Sequence, residues 1–188
     1  PGHLSLFGYD PTSSVVGRGI LSALGVGFEL CPGDVAARLN LATVDDEGVV
    51  IDRRAGCPSD EEGKRLVDKI LGKICSPDGV EVILIHEKEH RIALVLRGDG
   101  LDAEILDTDP HRTGLKPLPV IATDPASTST ADVVENLLHQ IGNILADEPE
   151  ANAVLARGFA QFSSYWSFEE RYGLSAIALA KYPMYRGI

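Results

Sequence analysis

Two apolar, β-branched runs, Val80-Glu81-Val82-Ile83-Leu84-Ile85 and Arg91-Ile92-Ala93-Leu94-Val95-Leu96, flank the polar link Glu87-Lys88-Glu89. That pattern predicts a β-hairpin. Upstream, Val35 to Val44 and Gly48 to Arg54 flank the acidic turn Asp45-Asp46-Glu47-Gly48 and predict another. Between the two lies a helix signal. Ser59-Asp60-Glu61-Glu62 fits a capping box, and Leu66, Val67, Ile70, Leu71 and Ile74 recur at helical spacing until Pro77 to Gly79 stop the run. A hairpin, a helix and a hairpin predict an α/β (α+β-like) chain, with a mostly antiparallel sheet covered on one face by helices.

Outward from this centre the signals weaken. Asp107 to Ser129 is rich in Pro, Thr, Asp and Ser and reads as loop, after which Ser129-Thr130-Ala131-Asp132 caps a second apolar-striped helix. A short strand at 152–155, a helical turn around Phe168–Tyr172 and a strand at Ala176–Tyr182 are expected to close the chain. Gly17-Arg18-Gly19 and Gly25-x-Gly27 lack the rest of a phosphate loop and read as tight turns.

Composition narrows the function. Seventeen Lys and Arg against 28 Asp and Glu give the 188 residues a net charge of −11, which repels nucleic-acid backbones. No apolar run reaches the ~18 residues of a membrane span, and no signal-peptide pattern opens the chain, so a soluble, cytoplasmic protein is expected. Cys31, Cys57 and Cys75 lack paired spacing and read as reduced thiols. The opening Pro1-Gly2 and a single methionine, Met184, suggest a fragment.

Three groups of residues could carry chemistry. His86-Glu87-Lys88-Glu89-His90 matches H-E-x-x-H, but that zinc motif requires a helix, and here it joins two strand-like runs. Asp107-Thr108-Asp109-Pro110-His111 places three potential metal ligands at alternating positions, but turn chemistry before a proline is the favoured reading. The arginines say more. Eleven Arg against six Lys is an unusual balance for an acidic chain, and Arg38, Arg53, Arg54, Arg91 and Arg97 fall in or beside the two hairpins. Planar guanidinium forks suit phosphate and carboxylate, so several on one sheet would suit a small dianion; pairing with the chain's own acids is the alternative.

Leu4 to Pro11 followed by Gly17-Arg18-Gly19 resembles the archaeal-type, cofactor-independent (2,3-bisphosphoglycerate-independent) phosphoglycerate mutases of the alkaline phosphatase superfamily. Matching stretches continue in the family's order: Pro32 to Ala36, Arg38-x-Asn40-Leu41-Ala42-Thr43, Asp52 to Gly56, His90-Arg91, Asp107 to His111, Ala151 to Val154 and Ser167 to Leu174. The resemblance implies a glycolytic isomerase that interconverts 3-phosphoglycerate and 2-phosphoglycerate through a phosphoserine. It also implies two divalent ions (manganese, magnesium or zinc) and no 2,3-bisphosphoglycerate. The family's nucleophilic serine should stand just before His3, where Pro1-Gly2 stands instead, and its metal-ligand stretches have no counterpart, so no metal is expected on these residues. A basic, glycine-containing stretch is also missing before Ala151.

On this resemblance residues 1–30 form a junction with a catalytic core, 31–150 a substrate-binding lobe and 151–188 a return segment. Arg38, Asn40, Asp52, Arg53, Arg54, His90, Arg91, Asp109 and His111 are the implied substrate contacts, with Arg18, Arg157 and Arg171 as secondary ones. Another metal-dependent phosphatase or phosphotransferase of the superfamily, or a noncatalytic phosphoglycerate-binding module, would share these features.

Overall fold

The computed structural model describes residues 5–10, 16–164 and 167–188. Its centre is strand β1 (Val35–Val44), buried along nearly its whole length. Strand β4 (Arg91–Gly98) pairs with it from Val35↔Leu96 to Asn40↔Arg91, and β3 (Val80–Lys88) pairs with β4 as the expected hairpin. On β1's opposite edge runs β5 (Ala153–Gln161), while the short β2 (Val50–Asp52) pairs with the end of β1. Every pairing is antiparallel.

Alternation along β1 sorts the two faces. Val35, Ala37, Leu39 and Leu41 point into the main core, where they meet Leu66, Val67 and Ile70 of α2 (Asp60–Leu71) and Val134, Leu137, Ile141 and Leu145 of α3 (Thr128–Leu145). Ser59 caps α2 as expected, accepting the Glu62 N–H. The two helices are joined beyond their core contacts by Arg65 and Lys69, which both pair with Glu148 just past the end of α3.

The other face is also covered, at one end. Helix α1 (Arg18–Gly25) lays Ile20 and Ala23 on Ala36 and Val95. Of the glycines around it only Gly27, at φ 82° just past the helix, is in the tight turn the sequence suggests. Gly17 is the helix N-cap position, and Gly19 sits so close to β1 that a β-carbon there would overlap the backbone of Ala36 and Ala37. Helical period is hard to read in so short a glycine-rich segment.

Three further differences have physical causes. β5 is nine residues long instead of four, because Gly158 takes a left-handed conformation (φ 63°) beside a register slip opposite Ala36 to Arg38, which carries the strand past the break. Residues 176–182 form no strand: Ile177 and Leu179 are 84% and 90% exposed, and the run finds no edge to pair with. Ser129 does not cap α3. Asp124 caps a short 3-10 turn at Pro125–Ser127, and the hydroxyls of Ser127 and Thr130 instead accept the Glu104 and Asp102 amides. The helical turn at 168–172 is present as α4 (Phe168–Tyr172), closed by a capping box from Ser167 and Glu170. The last element is α5 (Pro183–Arg186).

Two glycines should respond oppositely to alanine. Gly142, inside α3 with open space around it, should gain roughly 0.5–1 kcal/mol as Gly142→Ala. Gly19→Ala should lose about 1–3 kcal/mol through overpacking. Urea unfolding of both variants reads the signs.

Candidate functional site

The even-numbered residues of β1 put two polar side chains, Arg38 and Asn40, on the face opposite the main core. Residues directly paired across strands share a face, so the register assembles the rest. Arg38 lies opposite Arg157 of β5, and Asn40 opposite Arg91 of β4. Three arginines and an asparagine thus meet at the middle of one sheet face. Like charges directly opposite one another are unfavourable, so something must hold them.

Part of the answer is Asp109, which is fully buried. Arg53 grips it with a two-bond fork (Nε to Oδ1 2.9 Å, Nη2 to Oδ2 2.7 Å), and Arg157 Nη1 lies 3.3 Å from Oδ2. Burial opposes ionisation of Asp109. The Arg53 hydrogen bonds, the His111 amide and the charges of Arg53 and Arg157 outweigh it and keep its pKa below the usual carboxylate range. Arg53 is held more firmly protonated by the same bonds. Arg157 shifts the other way: burial lowers its pKa, and Arg18 and Arg38 add to the effect against the pull of Asp109 and Asp107.

The loop carrying Asp109 is stitched to β5. Thr108 N–H donates to the Ala156 carbonyl, Ala156 N–H donates to Thr108 Oγ1, and Gly158 N–H donates to Asp107 Oδ1. The 107–111 motif is therefore a loop, as turn chemistry predicts, with its aspartates engaged by backbone amides and arginines. Asp52 plays a similar part at the end of β2. Its two oxygens accept the Arg54 and Gly56 amides at 2.8 Å each, shaping the loop that presents Arg53.

His90 sits in the β3–β4 turn, 3% exposed, with Nδ1 buried and unpartnered. Burial, followed by the charge of Arg91, lowers its pKa to about 4, with Arg54 and Arg38 contributing and Glu89 opposing, which places all four within electrostatic reach. His86 and His90 do not share a helical face. His86 is on β3 with Nε2 3.0 Å from the Glu89 carbonyl, and His90 follows in the turn. Among the described residues no three His, Cys, Asp or Glu side chains gather as a metal would require, and the two uncharged donors left open here, His90 Nδ1 and Asn40 Oδ1, lie among arginines. The site does not fit a metal ion.

Two features set this face apart. All four non-glycine residues with positive φ among the described residues, Ala55, Cys57, Glu89 and His111, lie in the three loops that supply Arg53 and Arg54, His90 and Arg91, and Asp109. Such conformations cost on the order of 1–3 kcal/mol each and cluster where function over-determines the backbone. Arg38 Nε, Asn40 Oδ1, His90 Nδ1 and Arg157 Nε are moreover buried without a hydrogen-bond partner. Buried polar atoms rarely stay unpaired, and a bound polar group is the simplest resolution.

The remaining expected contacts stand apart. The side chain of His111 is largely exposed, with Nε2 3.8 Å from Asp107. Arg171 stacks on Tyr9 at 4.6 Å and donates to the Gly8 carbonyl, tying α4 to residues 5–10. Arg18 opens α1 with its stem against Gly158, near Arg157. Residues 1–4, which include His3 and the position expected to follow a catalytic serine, lie outside the described residues. Sequence reasoning missed Tyr182: its hydroxyl accepts from Arg38 Nη1 at 3.2 Å, and the Arg91 guanidinium lies 5.1 Å from its ring centre. Nothing in the Lys181-Tyr182-Pro183-Met184 stretch signals that contact.

Known proteins share this architecture. The family described as 2,3-bisphosphoglycerate-independent phosphoglycerate mutase matches residues 1–151. A Thermus thermophilus protein named a probable 2,3-bisphosphoglycerate-independent phosphoglycerate mutase is 50% identical over 188 residues, all of this chain and 46% of that protein. A Deinococcus radiodurans protein of the same name is 48% identical over 191 residues, covering 47% of its length. The solved cofactor-independent phosphoglycerate mutase from Thermoplasma acidophilum superposes with a TM-score of 0.75 at 35% identity, over 98% of this chain and 52% of that one. The chain spans about half the length of the curated relatives it matches.

His90 makes stability acid-sensitive in a defined window. Its folded-state pKa of about 4 lies below the ~6.5 of an unfolded histidine, so the unfolded chain binds the extra proton. Its contribution is complete above pH 6.5 and is lost as the pH falls from 6.5 towards 4. Urea unfolding should show a loss on the order of 2 kcal/mol between pH 7 and pH 5. A His90→Gln variant should lack most of that fall.

Proposed function

Because the chain belongs to the 2,3-bisphosphoglycerate-independent phosphoglycerate mutase family, we propose that it supplies the substrate-gripping lobe of an isomerase interconverting 3-phosphoglycerate and 2-phosphoglycerate. The observation that carries this reading is the gathering of Arg38, Arg53, Arg91 and Arg157 on one sheet face of a chain whose net charge is −11. A field of that sign repels a dianion everywhere except at a local cationic surface. Phosphoglycerate carries a phosphate and a carboxylate, and guanidinium forks recognise both.

In this reading Arg53 and Arg157, fixed by Asp109, form one anchor and Arg38 with Arg91 the other. His90, neutral at physiological pH, offers an unpartnered ring nitrogen to a glycerate hydroxyl. Asn40 adds an amide between the anchors, Arg54 adds charge, and Asp52 orders the loop that holds Arg53. Residues 1–30 and 151–188 would join the lobe to the part of the protein that carries the phosphoryl-accepting serine and its divalent ions, with β5 serving both the lobe and the connection. No described helix is long and apolar enough to cross a membrane, and a cytoplasmic setting suits a glycolytic step.

Kinetics of the natural full-length protein test the reading. A lost charge-assisted contact is worth roughly 1.5–3 kcal/mol, about ten- to hundredfold in kcat/KM. Arg53→Ala and Arg91→Lys should each show a loss of that size, the second because an ammonium cannot reproduce a planar fork. Wild-type efficiency in both variants would make these arginines structural and move the substrate site elsewhere.

A further inference from the structure

Two of the four clustered arginines meet the same uncharged side chain, and one of them, Arg38, has no acid beside it among the described residues. Among the described residues no carboxylate lies within 4 Å of Arg38; the partners of its Nη1 are the Tyr182 hydroxyl at 3.2 Å and the Met184 sulfur at 4.0 Å. Arg91 has one ion pair, to Glu89, a residue itself held by an Asp60 bond to its amide, and its guanidinium packs over the Tyr182 ring. One tyrosine therefore touches both guanidinium groups, one through its hydroxyl and one through its π-face.

We infer that Tyr182 is a positioning residue for anion recognition, fixing Arg38 in binding geometry without neutralising it and bracing Arg91 without adding a second acid to Glu89. The inference rests on the proposed substrate reading of this face. Its physical basis is the choice of partner. A carboxylate in place of Tyr182 would hold the arginines equally well but would cancel the charge that attracts a phosphorylated acid. A phenol oxygen and an aromatic ring hold them, leave the charge of Arg38 in place and take nothing further from Arg91, which already meets Glu89. Arg38 Nε stays buried and unpartnered beside the fixed Nη1, available to an incoming oxygen.

The position of Tyr182 is itself well determined. It is the N-cap residue of α5, which packs on α1 so closely that a β-carbon on Gly25 would overlap the Pro183 carbonyl, and one on Gly187 the Leu21 carbonyl. α1 in turn is seated on β1, the strand that carries Arg38. The C-terminal segment and the arginine thus share one rigid path of contacts, and the Tyr182 ring is braced further by an edge contact with Tyr185 at 5.7 Å.

Steady-state kinetics with 3-phosphoglycerate, together with the thermal midpoint, test this in the natural full-length protein. Tyr182→Phe removes the hydroxyl and keeps the ring, so KM should rise about three- to tenfold with kcat and Tm near wild type. Tyr182→Leu removes both contacts and should raise KM about threefold or more beyond that. Arg38→Lys should cost less in the Tyr182→Phe background than in the wild type. Unchanged or lower KM in both Tyr182 variants, while Arg53→Ala and Arg91→Ala raise it, would overturn the role of Tyr182 alone. Wild-type KM in the arginine variants as well would overturn the substrate reading and this inference together.

Discussion

Arg38 and Arg157 face each other across neighbouring strands, an arrangement that like charges resist, and the buried Asp109 carboxylate beneath Arg157 is what makes it tolerable. Much of the structure serves that carboxylate. Thr108 and Asp107 fasten its loop to β5, Arg53 reaches it from the end of β2, and Asp52 shapes the loop from which Arg53 extends. Removing the carboxylate would leave Arg53 without a counter-charge and Arg157 with only the longer 3.8 Å contact to Asp107, which is the costly way to break such a pair. The pair therefore counts less as stabilisation than as a device for keeping guanidinium groups concentrated on one face.

The balance of charge follows from the same logic. Arg97, on the same face of β4 but beyond the cluster, is neutralised by the buried Asp34 through bonds of 2.9 and 2.7 Å and packs on Phe28. Arg65 is neutralised by Glu62 and Glu148 on the far side of the molecule. Acids are plentiful in this chain, so an arginine held by a tyrosine and a methionine, as Arg38 is, stands out against its neighbours.

Those parts of the fold with a strong local period were legible in the sequence. The β3–β4 hairpin, the Ser59-capped α2 and the apolar stripe of α3 form where pattern and turn chemistry place them, and the expected 107–129 loop holds as far as Asp124, where a 3-10 turn leads into α3. α1 was not legible because its glycines encode close packing on β1, a tertiary fact with no local trace. The length of β5 was hidden by Gly158, and the run at 176–182 has strand-like composition but no edge to join. Of the expected site residues, Arg38, Asn40, Arg53, His90, Arg91, Asp109 and Arg157 come together, and alternation along β1 could have paired Arg38 with Asn40. The meeting of Arg38 with Arg157 required the β1–β5 register, and the role of Tyr182 required knowing where the C-terminal segment returns. Asp52, His111 and Arg171 were placed by family likeness alone, and their side chains engage backbone amides, solvent and the terminal segments respectively.

The placement of β1 between β4 and β5 also sets the order in which the protein can assemble. β1, β4 and β3 lie within residues 35–98 and can associate over short loops, but the second edge of β1 waits for β5, more than a hundred residues downstream. Closing that long loop costs chain entropy that local pairing does not. During synthesis the two hairpins and α2 can therefore condense first, with one edge of β1 still open. The cationic face is completed only when residues 153–161 dock, and until then Arg38 has neither Arg157 nor Tyr182 beside it. A nascent chain stalled before that point would expose an unpaired edge of its most apolar strand, the form in which this molecule is most prone to associate with its own copies.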